Sequence, residues 1–291
     1  MTRYESAIDV DALTAIDVHV HIEVDAHGHS SLPPDLAEAA ARYFKAGASP
    51  DLDGVADYYR ERRMAAVVFT VDAQTELQHP ALSSAEIADG AARHNDVLIP
   101  FGSVDPRRSD AVDIAKRLIE ESGVRGFKFH PTVQGFDPSE ERWYPLYETI
   151  QDAGVPALFH TGQTGIGAGM RGGRGFRLAL SNPMLLDPVA ADFPDLQIIM
   201  AHPSVPWQDE ALAVATHKHN TWIDLSGWSP KYFPESLVRA AGSYLRSRVL
   251  FGSDYPLLTP DRWMSDIAQT AMKPDALPAI YKDNAVRLLG L

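Results

Sequence analysis

Eight short apolar runs punctuate the 291 residues of this chain, and longer helix-patterned segments separate them. The runs are TAIDVHV (14–20), MAAVVFTV (64–71), VLIPFGSV (97–104), VRGFKFH (124–130), VPALFH (155–160), LQIIMAH (196–202), TWIDLS (221–226) and RVLFGSD (248–254). Runs that are apolar on both faces belong to parallel strands covered by helices. Between the third and fourth runs, Ala111, Ile114, Ala115, Leu118 and Ile119 recur at helical spacing across 110–122. DAGVP at 152–156 reads as a helix end closed by Gly154, with a strand following. Most successive runs lie roughly 25–40 residues apart, enough for one βα unit. Eight such units predict a (β/α)8 barrel, a single domain over 1–291. An open doubly wound sheet is the competing arrangement. Against it, no GxGxxG follows the first run and no Walker A motif occurs.

Composition narrows the partners. A formal charge of -13 gives no overall attraction for nucleic acid, so an anionic ligand needs a local cluster of cations. No stretch approaches the length of a membrane span, and the first residues, MTRYESAIDVDAL, lack the basic and apolar regions of a secretory signal. The absence of cysteine excludes disulfides, thiolate ligands and a cysteine nucleophile, and it fits a cytoplasmic location.

The polar residues at the ends of the runs carry the chemistry. His19 and His21 end the first, Lys128 and His130 the fourth, His160 the fifth and His202 the sixth, while Asp254 follows the eighth. In a barrel these are C-terminal strand ends, where active sites are built. Residues two apart on a strand share a face, so His19 and His21 point together into the barrel mouth, with Val20 toward the helix layer. One strand can thereby supply two imidazoles to one ion. His27 and His29 have the same spacing but sit in the polar stretch DAHGHSSLPP, which predicts solvated or lid residues; His79, His94, His217 and His219 are expected at the surface. Two long connections, one with helix-like pieces at 35–46 and 51–63 and one from His160 to Pro183, are expected to line the active face. The second is rich in glycine and carries Arg171, Arg174 and Arg177, the best anion-binding candidates in an acidic chain. Trp228, Tyr232 and Phe233 follow the seventh run, placed to wall an aromatic substrate or to pack against a second subunit of a homo-oligomer.

HxH, FHTG, AHP and GSDYP on four separate strand ends resemble the amidohydrolase superfamily, in particular its amidohydrolase-2 branch of aminocarboxymuconate-semialdehyde decarboxylase-like enzymes. The resemblance runs from DVHVH to the closing DNAVRLLGL. It implies one divalent ion, zinc ahead of manganese, held by His19, His21, His160 and Asp254. It also implies that His202 contacts substrate or the metal-bound water. Lys128 has three readings: a carboxylated lysine bridging two metals, a free ammonium on a substrate oxygen, or a lysine paired with a neighbouring acid. The pattern of loops is most similar to that of 4-hydroxyphenyl-β-ketoacyl-CoA hydrolases. On that reading a water attacks the ketone beside the ring, and a hydroxybenzoate and acetyl-CoA are released. Asp254 takes the water proton, and His202 stabilises the oxyanion or carries a proton to the thioester enolate. The arginine loop holds the CoA phosphates, and Trp228 and Tyr232, with His130, hold the rest of the substrate. A non-oxidative decarboxylase of an aromatic or unsaturated acid, or a lactonase, are the alternatives within the same fold.

Overall fold

The computed structural model describes residues 2–44 and 49–291. All eight apolar runs form strands: β1 (Ala15–His21), β2 (Met64–Phe69), β3 (Leu98–Pro100), β4 (Phe127–Phe129), β5 (Ala157–His160), β6 (Ile198–Ala201), β7 (Thr221–Asp224) and β8 (Val249–Leu250). Every pairing is parallel. Regular ladders join β1–β2–β3 and β4 through β8 as two sheets. Isolated bridges at Gly102–Phe127 and Val20–Tyr255 close the two seams, and the result is the (β/α)8 barrel that the alternating runs predict.

Helices lie between the strands. α1 (Pro34–Phe44) and α2 (Leu52–Glu61) stand where helix-like pieces at 35–46 and 51–63 were expected; positions 45 and 46 lie outside the described residues. Across 110–122 a short helix, Ala111–Arg117, runs into a wider-turned segment, Leu118–Ser122. Gly154 follows the helix Tyr144–Asp152 with a φ of 67°, the left-handed conformation that glycine adopts without a Cβ penalty. No helix among the described residues is long and apolar enough to cross a membrane.

Two apolar clusters divide the barrel. Val67, Phe69, Ile99, Leu158, Ile199 and Leu250 form the interior, and Ile16 and Val18 of β1 join them. Val20 and Ile22 instead pack in the outer layer with Val55, Ala56 and Tyr59 of α2. Strict alternation would keep Val18 and Val20 on one face. The β1–β2 register shifts between Asp17 and Val20, so the strand changes face there. Such bulges re-aim side chains beside active sites.

Candidate active site

The bulge determines what β1 presents. His19 and His21 both face inward, with Phe69 of the interior cluster beneath them at 5.1 and 5.0 Å between ring centroids. The Nε2 atoms of the two histidines are 3.2 Å apart. Asp254 Oδ1 lies 3.3 Å from each. A tetrahedral ion with bonds of about 2.0–2.1 Å to nitrogen and oxygen has ligand–ligand edges of about 3.3 Å. The triangle therefore has the dimensions of one face of such a site. His202 is drawn into the same cluster: one ligand atom from each of His19, His202 and Asp254 can be chosen so that all lie within 4.8 Å of one another.

His160 stands beside His202 at the end of β5. Its Nδ1 is 3.0 Å from His202 Nε2, its ring stacks on His130 at 3.8 Å, and its buried Nε2 has no hydrogen-bond partner among the described residues. A buried imidazole nitrogen left without a partner is what a missing ion would leave behind. The donor set of three or four imidazoles and one carboxylate suits a borderline divalent ion.

Two of these residues reach the mouth only through unusual backbone. His202 and Asp254 both have a φ of 72°, the left-handed region that non-glycine residues seldom occupy. For His202 this turn brings the ring back over the barrel after Ala201 has already pointed inward. Gly227 makes room for it, since a Cβ there would lie 2.4 Å from His202 Nδ1.

Burial and neighbouring charge set the protonation states. Burial drives the His19, His130 and His160 rings well below the ordinary histidine range. Burial likewise lowers His202, to about 4, against a smaller opposing pull from Asp254. His21 moves the other way. Burial disfavours its charge, but the carboxylates of Asp254 and Glu23 outweigh it and raise the ring to about 9. Burial would raise Asp254, yet the hydrogen bond from His21 and the charges around it hold it below the usual carboxylate range. Lys128 is fully buried, and burial lowers its amine to about 7 against the attraction of Asp254, Asp224 and Glu23. Its Nζ lies 2.9 Å from His19 Nε2, and no carboxylate among the described residues comes within 4.0 Å of it. The reading of Lys128 as half of an ion pair therefore has no partner here; a free amine and a carboxylated one both fit the position.

A second tier of polar residues stands behind the first. Asp224 Oδ2 is 2.6 Å from His19 Nδ1. Ser226 Oγ touches Asp224 Oδ2 at 2.9 Å and His202 Nδ1 at 2.9 Å. Burial pushes the Asp224 carboxyl up, with Ser226 and Lys128 pulling the other way. Glu23 Oε1 is 2.9 Å from His21 Nδ1, and its other oxygen accepts from the Ser31 hydroxyl. Sequence reasoning passed over Asp224, Ser226 and Glu23. Asp224 and Ser226 stand two apart at the end of β7, the same spacing that singled out His19 and His21, so the signal was present.

Above this cluster opens a cavity of about 490 Å3. His21, His130, His160, His202 and Asp254 form its floor. Its walls are largely apolar: Leu32, Phe44, Val71, Ile166, Trp228 and Leu257 among others. Glu23 and Asp254 are the acidic side chains of the lining, and no lysine or arginine is among the described residues that form it. The two long connections do line the mouth, through α1 and through Gln163–Ile166. The arginines of the second connection do not. Arg174 Nε pairs with Asp35 Oδ2 of α1 at 3.0 Å, and Arg171 and Arg177 are exposed outside the cavity. Trp228 is in the wall, whereas Tyr232 is 65% exposed and lies outside it. His27 and His29 are exposed, as expected.

A family model described as "Amidohydrolase" matches residues 16–291. Among solved structures, an uncharacterised TIM-barrel protein from Bordetella bronchiseptica superposes with a TM-score of 0.77 at 23% identity, over 95% of this chain and 98% of that one. A dihydroxybenzoic acid decarboxylase from Polaromonas sp. JS666, with bound manganese and the inhibitor 2-nitroresorcinol, gives 0.65 at 14% identity, over 96% and 97%. A 5-carboxyvanillate decarboxylase from Sphingomonas paucimobilis gives 0.63 at 14%, over 96% and 100%. At these identities the likeness is one of fold. A curated 3-methyl-2-oxobutanoate hydroxymethyltransferase from Heliobacterium modesticaldum is 35% identical over 75 residues, 26% of this chain and 24% of that protein. The match thus spans about a quarter of that relative's length.

Proposed function

This chain belongs to the amidohydrolase family, and from that premise we propose that it is a metal-dependent enzyme that removes CO2 from a small aromatic or unsaturated carboxylic acid. The observation that carries the reading is the cavity: an imidazole and carboxylate floor under apolar walls that contain no cation among the described residues. Such a chamber suits a flat apolar body with a single oxygen-bearing end. A second anionic group on the substrate would meet Glu23 and no counter-charge. The activities of the Polaromonas and Sphingomonas proteins agree with this class of substrate.

In this proposal His19, His21, His160 and Asp254 hold one divalent ion, zinc or manganese. When bound, the ion supplies a positive charge that orients the carboxylate or an adjacent oxygen of the substrate. Trp228 faces the ring, and His130 braces His160 by stacking. Loss of CO2 leaves an electron pair on carbon, which needs a proton. His202 and Asp254, both on the cavity floor, are the groups placed to hold and deliver it, and the Lys128 amine, buried outside the cavity lining 2.9 Å from His19 Nε2, acts on that ring. The proposal extends to a one-domain subunit of a cytoplasmic homo-oligomer. The cysteine-free sequence and the exposed Tyr232 support that part.

A second reading is hydrolytic cleavage of an aryl β-ketoacyl-CoA. What favours it is the pair Arg171 and Arg177, exposed on the connection whose earlier part lines the cavity, where CoA phosphates would emerge. One assay separates the two. The purified protein is given a panel of hydroxybenzoic acids and, separately, a hydroxyphenyl β-ketoacyl-CoA, with CO2 and acetyl-CoA measured independently. CO2 from an aromatic acid is the expected result. Acetyl-CoA without CO2 would replace the first reading with the second, and neither product from any compound would overturn both.

A further inference from the structure

Three hydrogen bonds at the end of β7 bear on how the histidines of the floor are protonated. Asp224 Oδ2 is 2.6 Å from His19 Nδ1, Ser226 Oγ is 2.9 Å from that same carboxylate oxygen, and Ser226 Oγ is 2.9 Å from His202 Nδ1. We propose that Asp224 and Ser226 act as one positioning unit that fixes the tautomers of His19 and His202, and through His202 that of His160, so that the Nε2 atom of all three rings carries a lone pair.

The argument is a count of donors and acceptors. A serine hydroxyl has one proton and two lone pairs. With Asp224 ionised, the state that its Ser226 hydrogen bonds and the Lys128 charge favour, the Ser226 proton goes to Asp224 Oδ2, so the contact with His202 Nδ1 is made by a serine lone pair, and the ring nitrogen supplies the proton. Ser226 Oγ also lies 3.0 Å from His19 Nδ1, but Asp224 is the nearer acceptor and takes that proton. His202 is then an Nδ1–H tautomer whose Nε2 can only accept. Its partner there is His160 Nδ1 at 3.0 Å, so His160 donates and is itself an Nδ1–H tautomer. This leaves the lone pair of His160 on Nε2, the buried nitrogen that has no partner among the described residues. The opposite assignment runs the chain backwards. Ser226 would donate to His202, His202 to His160, and a proton would sit on His160 Nε2 with nothing to receive it.

The packing supports a fixed unit. Asp224 Oδ1 accepts from the Ser226 backbone N–H at 2.9 Å, and Asp224 and Ser226 are both completely buried. Glycine at 252 is required by the same carboxylate, since a Cβ there would lie 2.2 Å from Asp224 Oδ1. One consequence reaches the chemistry. With its ring neutral, its proton on Nδ1 and its Nε2 lone pair engaged by His160, His202 can pass a proton into the cavity only after taking one up at Nε2. The inference rests on the proposed metal site only for the role of the lone pairs; the tautomers themselves do not depend on any substrate.

The test is the two-bond proton–nitrogen correlation spectrum of the full-length protein labelled with 15N-histidine and supplied with zinc, which is diamagnetic. The expected result is an Nδ1–H pattern for His19, His160 and His202. In Ser226→Ala the His202 pattern shifts toward Nε2–H while that of His19 persists. In Asp224→Asn the His19 pattern changes and zinc is held about 10- to 100-fold less tightly. An Nε2–H pattern for His202 in the unaltered protein overturns the proposal, as does an unchanged His202 in Ser226→Ala. If that variant does not fold, Ser226→Thr keeps the hydroxyl and must keep the pattern, and the spectrum of the unaltered protein still decides. A protein that takes up no zinc but shows Nδ1–H at His202 refutes the metal site and leaves the tautomer assignment standing.

Discussion

The barrel is closed at two seams where the regular ladder lapses, and the two differ in what side chains add to the backbone bonds. Between β3 and β4 the bonds are mostly backbone: Gly102 N–H to Gly126 O at 2.8 Å, Lys128 N–H to Gly102 O at 2.7 Å and Arg125 N–H to Pro100 O at 2.8 Å. The Ser103 hydroxyl adds one bond to Lys128 O at 2.8 Å. Between β8 and β1 the backbone contributes as many, Val18 N–H to Phe251 O and Asp254 N–H to His19 O, both at 3.0 Å, and His21 N–H to Tyr255 O at 2.8 Å. Side chains then add more. Asp17 accepts from the Ser253 N–H at 2.9 Å, the His19 N–H at 3.1 Å and the Tyr59 hydroxyl at 2.7 Å, and also from the Ser253 hydroxyl. The His19, His21 and Asp254 triangle lies on this same seam. The first seam shapes the barrel, and the second shapes it and carries charge. Burial lifts Asp17 to about 6 despite its hydrogen bonds, a sign that holding a carboxylate there is costly. We attribute that cost to the need to hold the bulge that turns both His19 and His21 inward.

The contrast can be broken by mutation. The largest expected effect is at Asp254 on the charged seam: Asp254→Ala should lower kcat by at least about 10,000-fold and release the metal, because it removes both a ligand and a proton carrier. His202→Asn, beside that seam, should keep metal near the native level and lose at least about 100-fold in kcat. Loss of metal in that variant would make His202 a ligand, and native turnover would make it a bystander. Acidification should weaken metal binding. His21 is raised to about 9 and must shed its proton to bind an ion. Below that value the measured affinity should fall about tenfold per pH unit for this one proton, from about pH 8 to pH 6. A flat profile would mean that His21 does not bind the ion. The smallest effects compare the seams directly by urea unfolding. On the β3–β4 seam a Cβ at Gly126 would lie 2.4 Å from the buried Phe101 ring. Gly126→Ala should therefore cost about 1–3 kcal/mol of stability with metal affinity unchanged. Asp17→Asn should cost about 2 kcal/mol and also weaken metal retention. Equal metal affinity in the two variants would erase the distinction.

What was legible in the sequence follows the same division. The eight runs gave away the barrel because parallel strands buried on both faces are apolar throughout. HxH gave away the inward pair because a period of two is local. Asp17 was not legible: alternation puts it on the same face as His19, and only the bulge turns it outward to Tyr59 and Ser253. His202 and Asp254 depend on left-handed backbone that no hydrophobic pattern encodes. The placement of the arginine loop was not legible for another reason. Its residue types suit anions, but their distance from the cavity and the pairing of Arg174 with Asp35 are matters of tertiary packing.

The central claim is that the ends of β1, β5 and β8 hold one divalent ion. Elemental analysis of the purified protein and of His160→Ala, together with turnover before and after exhaustive chelation, tests it most directly. The account predicts about one equivalent of zinc or manganese per chain, lost in His160→Ala, with activity removed by chelation and restored by the metal. Full activity in a metal-free preparation would contradict it.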